Sequence, residues 1–239
     1  MRTVVNERYV GSRMKIGNYS HFASMALLVI GFVLSLMTGT FGQEVIFVSY
    51  VCLIGAFLLL SYGRRFTRRW GPRFRQDQWL VPALKGVDAN YTMFNYAAPG
   101  LPDHLIVGPS GLYVLVPRPN GGTVQFQDGR WSRGSAGSTI FRGLAEGGLG
   151  NPMRDAQIAL QELADYLRKN GSEELISGLE ARPVIVFTNP GVDLVVKNPP
   201  LPIVKTRDLK SLFRRAKSSL EPNKIEELKQ VLGQGVSAQ

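Results

Sequence analysis

Between residues 16 and 63 the chain carries a single formal charge, Glu44, and that absence restricts its possible folds more than any motif does. Residues 22–40 and 45–62 are two apolar stretches. Each is long enough, at about 1.5 Å per helical residue, to cross a hydrocarbon layer of about 30 Å. Phe41, Gly42 and Gln43 lie between them beside Glu44 and form a short polar turn. A cleavable leader has one apolar core and a small-residue cleavage site, whereas here a second span follows at once. A buried hairpin of a soluble protein carries a polar stripe at helical period. The breaks in the first stretch, Ser24, Gly31, Ser35, Thr38 and Gly39, are mostly small residues and none is charged. The pattern predicts a transmembrane hairpin. Gly31, Ser35 and Gly39, spaced four apart, would let another helix approach closely.

The formal charge of +10 is concentrated at the two ends of this hairpin. Residues 1–20 hold Arg2, Arg8, Arg13 and Lys15 against Glu7, and residues 64–75 hold six arginines and no acid. The remaining 76–239 carry 18 basic and 16 acidic residues and are nearly balanced. Basic flanks on both ends fit the positive-inside rule: two spans in a cell (inner) membrane of bacterial type, both termini cytoplasmic, Glu44 outside. The run "GRRFTRRWGPRFR" offers Arg64, Arg65, Arg68 and Arg69, with Phe66, Trp70 and Phe74 between or beside them. Read as a membrane flank, it meets anionic head groups while its aromatic rings settle at the interface. A nucleic-acid patch is the alternative reading of the same run. The lone Cys52 lies within the second span, which excludes a disulfide within one chain. With only His21 and His104 present, no histidine cluster for zinc exists.

The expected organisation is a short cytoplasmic lead at 1–20, partly ordered at best, the hairpin at 21–63, a basic collar at 64–76, a mixed α/β domain at 77–216, and a C-terminal helix and tail at 217–239. In "QDQWLVPALKGV" the residues Trp79, Leu80, Ala83 and Leu84 mark a short buried helix face limited by Pro82. A strand is expected at 91–96, then the apolar strands "HLIVG" and "LYVLV" joined by a tight turn. A further hairpin turns on Asp128-Gly129. The Gly-rich stretch 134–150 reads as a loop. The clearest helix begins at an Asn151 cap with Pro152 in its first position and ends at Gly171, with Ile158, Leu160, Leu163, Tyr166 and Leu167 on its buried face. Short strands "RPVIVF", "VDLVV" and "PIVKT" and two amphipathic helices complete the domain, and "GQGVSAQ" frays. About 160 residues suffice for a core without staples.

The motifs "LPDHLIVGPSGLYVL", "DGRWSR", "GNPMRDAQ" and "PVIVFTNPGVDL", in that order, resemble the nuclease-related (NERD) domain family of the restriction-endonuclease-like superfamily, over roughly residues 77 to 216. The resemblance implies a restriction-endonuclease-like mixed central sheet flanked by helices. It also implies an acidic residue before the first strand of a hairpin and a Glu-x-Lys on the second, converging at one end of the sheet. Two carboxylates there hold magnesium, which activates water, and the lysine offsets developing charge. Asp103 matches the first aspartate, and Asp77 falls where the family has a helix glutamate. Val116 stands at the glutamate position and Arg118 at the lysine position, with Pro117 between them.

Valine offers a metal no oxygen, and a guanidinium cannot take up a proton, although it can still bind phosphate. The resemblance therefore implies a pseudoenzyme: a scaffold whose catalytic motif is degenerate, needing no cofactor and serving as an interaction or structural module. Its site remnants are Asp77, Asp103 and Arg118. His104, beside Asp103, is expected to pack or hydrogen-bond at the strand start. Three other readings stay open. A metal-dependent nuclease, using Mg2+, would draw its missing carboxylate from Asp155, Glu162 or Asp165 on the long helix. A non-cleaving nucleic-acid binder would use Arg118, Arg130, Arg133 and Arg142. An accessory subunit of a membrane complex would meet other membrane-protein subunits through the hairpin.

Overall fold

The computed structural model describes residues 1–37, 42, 44–134 and 148–237, and they form two compact units. One comprises Glu7–Arg75 and the other Met1–Asn6 together with Gln76–Gln239. The hairpin turn at 38–43 (except Gly42), most of the Gly-rich stretch and its Arg142 lie outside the described residues, as do Thr38 and Gly39 of the first span.

The first unit is a pair of long helices, α1 (Glu7–Leu36) and α2 (Glu44–Trp70). Both are long and apolar enough to cross a membrane, and only 17% and 11% of their most apolar windows are buried. A core helix of a soluble protein would bury most of such a window. Here Phe22, Met25, Phe32, Leu36, Phe47, Ile54, Phe57 and Leu58 are instead more than 60% or close to 60% exposed. An exposed apolar surface of this extent supports membrane association.

The two helices meet along a seam repeating at every seventh position, with small residues along most of it, Val10 and Trp70 at its basic end and Ser20 buried beside it. Val10, Gly17, Ser24 and Gly31 are buried on α1, and Ser49, Ala56, Gly63 and Trp70 on α2. They meet in antiparallel register. Ser24 Oγ donates to the Ala56 carbonyl at 2.8 Å and Ser49 Oγ to the Gly31 carbonyl at 2.7 Å. A Cβ on Gly63 would lie 3.1 Å from the Gly17 carbonyl oxygen, so glycine permits this approach. Seven-residue spacing is the repeat of left-handed helix pairs, and small residues let backbones close up where no hydrophobic effect drives association. Of the stripe expected from sequence, Gly31 belongs to the seam. Ser35 lies off it because a spacing of four drifts around the helix relative to a spacing of seven.

The second unit is a mixed α/β domain. Its main sheet has the order β1 (Arg2–Val5), β2 (Thr92–Asn95), β3 (His104–Gly108), β4 (Gly111–Arg118), β7 (Ala181–Phe187) and β9 (Ile203–Lys205). The β2-β3-β4 run is antiparallel, while β1 joins β2, and β7 joins both β4 and β9, in parallel. A smaller sheet places β5 (Gly122–Gln127) between β6 (Arg130–Arg133) and β8 (Val192–Val196). Seven α-helices are present among the described residues of the chain, five of them in this unit: α3 (Asp77–Ala83), α4 (Pro152–Asn170), α5 (Glu173–Ile176), α6 (Leu209–Arg215) and α7 (Pro222–Ser237).

Both faces of the main sheet are covered, which explains the uninterrupted apolar runs of β3, β4 and β7. On one face Leu105, Val107, Leu112, Val114, Val116, Ile185 and Phe187 pack against α4, α5 and α7. On the other, Met93, Ile106, Tyr113, Leu115, Val184 and Val186 meet Leu80 of α3, Leu84 just past its end, and Leu209 and Phe213 of α6. The β5–β6 turn places Asp128 and Gly129 at φ 51° and 77°, the paired left-handed residues of a tight hairpin. Asn151 caps α4 by accepting from the Arg154 amide at 3.2 Å.

Four expectations are corrected. The first residues of the lead are not loose: Arg2–Val5 form an edge strand, and the buried Asn6 amide donates to the Ala97 and Gly235 carbonyls. The end of the chain does not fray at 233 but stays helical to Ser237, because Gly235 packs where a Cβ would sit 2.4 Å from Ala98. Ile158 is exposed on α4, whose buried line is Pro152, Ala156, Leu163 and Leu167. Trp79 is half exposed, and Leu80 and Leu84 carry the α3 contact without it. Because Met1–Asn6 and Gln76–Gln239 share one unit, a hairpin that crosses a membrane returns to the side it left.

Candidate functional site

The expected site residues gather where β4 and β7 end. The β3–β4 ladder ends at the pair Leu105 and Val114, with Asp103 just before β3 and Val116 two residues further along β4. The β4–β7 pairing then sets Val116 against Ile185 and Arg118 against Phe187. Val116 is 8% exposed and belongs to the apolar core on the α4 face. Alternation along β4 points Arg118 to that same face. There its guanidinium meets the carboxylate of Asp155, in the first turn of α4.

This ion pair has unequal partners. The Arg118 side chain is 17% exposed and that of Asp155 is 46% exposed. The Arg118 Nε is buried with no hydrogen-bond partner, so Asp155 is the carboxylate that neutralises a largely enclosed charge. Asp155 is also favoured where it stands, since a carboxylate in a helix's first turn faces the positive end of the backbone dipole. Glu162 and Asp165 lie about 10 and 15 Å further along the helix axis, at about 1.5 Å per residue, and Asp165 pairs with Arg168. Of the three candidate replacement carboxylates, Asp155 is the one paired with Arg118 at the strand end.

The helix remnant is close by. Asp77, the first residue of α3, is 6% exposed. Its neighbour Gln76 accepts a hydrogen bond through Oε1 from the Thr188 hydroxyl at 2.6 Å. The Thr188 amide in turn donates to the Arg118 carbonyl at 2.9 Å. Gln76 and Thr188 were not singled out from sequence. Thr188 directly follows the "PVIVF" strand, and only the parallel pairing of β7 with β4 brings it to Arg118.

His104 lies at the opposite edge of the cluster, 1% exposed, with Nδ1 donating to Asn95 Oδ1 at 2.8 Å and its ring against Tyr96 at 5.0 Å. Tyr96 has φ 54°, an uncommon value for a residue with a side chain, and its amide donates to the Asp103 carbonyl at 2.7 Å. The histidine is thus a packed, hydrogen-bonded strand residue.

Of the four arginines of the nucleic-acid reading, Arg142 lies outside the described residues and Arg118, Arg130 and Arg133 are described. Arg133 Nη2 donates to the Gly121 carbonyl at 3.0 Å and belongs to the Arg118 end. Arg130 pairs with Gln127 at the far end of the same hairpin. Arg64, Arg65, Arg68 and Arg69 occupy the last two turns of α2. No group of three or more metal-ligating side chains occurs among the described residues. No protein-family model, curated protein or solved structure matches the chain.

Proposed function

We propose that the chain is a membrane-anchored, NERD-like domain of restriction-endonuclease-like fold whose catalytic motif is degenerate and which serves as an interaction or structural module. The observation carrying this reading is the burial of Val116 in the apolar core, at the position where the resemblance calls for the glutamate. A magnesium site needs oxygen ligands, and β4 presents the buried isopropyl group of Val116 instead. Arg118, already neutralised by Asp155, is poorly placed to hold a phosphate. In this reading the hairpin holds the domain at the cytoplasmic face of a cell membrane, and the basic flanks set the orientation.

A metal-dependent nuclease is the second reading, favoured by one observation, the arrival of Asp155 at the strand end. An assay of the detergent-purified full chain on single- and double-stranded DNA and RNA with Mg2+ or Mn2+ separates the two. A silent scaffold gives no cleavage above an Asp103→Ala control. Metal-dependent cleavage lost in both Asp103→Ala and Asp155→Ala would establish the nuclease.

A further inference from the structure

The α/β unit holds an unassigned cleft at the start of β7, at the other end of that strand from the Arg118 cluster. β7 begins at Ala181 but meets β9 only from Ile185, which pairs with Ile203. The overhang Ala181–Val184 leaves one strand edge without a neighbouring strand. A cleft of about 600 Å³ lies between this edge, the residues leading into β9 and α6, within the range of about 300–1,000 Å³ usual for small-molecule sites. Pro183, Pro200, Leu201, Pro202 and Leu212 make much of its wall apolar. Its charged lining is Arg182, Arg215 and Glu180, two guanidiniums against one carboxylate. Glu180 Oε2 accepts from Arg182 Nη2 at 3.2 Å. Arg215, exposed at the last position of α6, has no acidic partner among the described residues. Residues 209–220 hold Lys210, Arg214, Arg215 and Lys217 and no acid, so the α6 side of the cleft is positive.

We propose that this cleft binds a small amphiphilic monocarboxylate, its carboxylate on Arg215 and its apolar body against the proline wall. Backbone, charge and lining each select that class. The Ile185 amide donates toward β9, to the Pro202 carbonyl at 3.0 Å. Alternation turns position 183 to the same edge, and Pro183 has no amide to donate; Pro200 and Pro202 across the cleft have none either. The row of donors that an added peptide strand would need is interrupted, which leaves a ligand held by side chains. The charged lining carries one positive charge in excess, which a single carboxylate balances and a phosphate dianion would exceed. A guanidinium receives a carboxylate in planar, paired hydrogen bonds. The apolar wall gives a hydrocarbon body a surface on which to leave water, so a bare carboxylate would use only part of the site.

Binding is read on the full chain in phosphatidylcholine nanodiscs by saturation-transfer NMR with naphthoate as the probe and empty nanodiscs as the blank. The expected result is saturable binding with a dissociation constant below about 1 mM. Naphthamide has the same body without the charge, and acetate the same charge without the body. Each should bind at least about tenfold more weakly. Arg215→Gln should weaken naphthoate at least about tenfold and leave naphthamide unchanged. Arg214→Gln, an equal charge change at the preceding residue, which does not line the cleft, should stay within about twofold. Both side chains are exposed, so neither substitution opens the core. Equal affinity for naphthoate and naphthamide, or equal loss in the two variants, overturns the assignment of the carboxylate to Arg215. Displacement of naphthoate by equimolar inorganic phosphate would make the cleft a phosphate site and overturn the monocarboxylate class. No saturable binding up to about 10 mM removes the site, and it leaves the reading of the Arg118 cluster as it stands.

Discussion

At the scale of single residues, the site is governed by which charge is enclosed. Arg118 is the buried partner and Asp155 the wetter one, so the two truncations should differ. Asp155→Ala leaves a guanidinium enclosed without its counter-charge and removes a favourable helix-start carboxylate, a loss of about 1–2 kcal/mol. Arg118→Met keeps the apolar stem and leaves Asp155 free to hydrate, costing less than about 0.5 kcal/mol. Chemical denaturation of the two variants and the double variant in detergent checks the order; a larger loss for Arg118→Met would contradict the assigned roles. The resemblance read from the sequence implies that Val116 and Arg118 stand where a carboxylate and an amine would be. It could not show that Asp155 answers Arg118, because that contact joins residues 37 apart and depends on which face of α4 meets the sheet.

At the scale of elements, the hairpin is the most legible part of the chain and also where the detail was missed. Length and missing charge define two spans without reference to packing. Their contact depends on a seven-residue seam that is sparse in each helix, since most small residues off the seam look the same in sequence. The seam makes a prediction that uses the single native thiol. A Cβ built on Gly31 lies 3.1 Å from Cys52 Cβ, within a few tenths of an ångström of the range of about 3.5–4.5 Å found in disulfides. Gly31→Cys should therefore form a bond with Cys52 under mild oxidation, consuming both thiols in a maleimide titration of the denatured chain. Phe32→Cys, 63% exposed, should leave both thiols free. Two free thiols in oxidised Gly31→Cys would mean the helices do not meet in this register. The strand β1 was illegible for a different reason. Four residues of "RTVV" carry too little pattern alone and become a strand only because β2 offers a free edge.

At the scale of the whole molecule, the chain leaves a sheet after its first strand, makes a helical hairpin and returns to finish the same domain. The mixed α/β class was readable from the order of apolar runs, the capped α4 helix and the Asp128-Gly129 turn. The division into two sheets was not, because β8 joins β5 across 64 or more residues of sequence that leave no local trace. The account's central proposal is that Asp103 has no second carboxylate with which to hold a dication. Binding of Mn2+ by the purified full chain, followed by electron paramagnetic resonance, tests it most directly. The account predicts no saturable binding in the millimolar range that distinguishes the wild-type chain from Asp103→Ala. One equivalent of Mn2+ bound by the wild type and released by Asp103→Ala would contradict it.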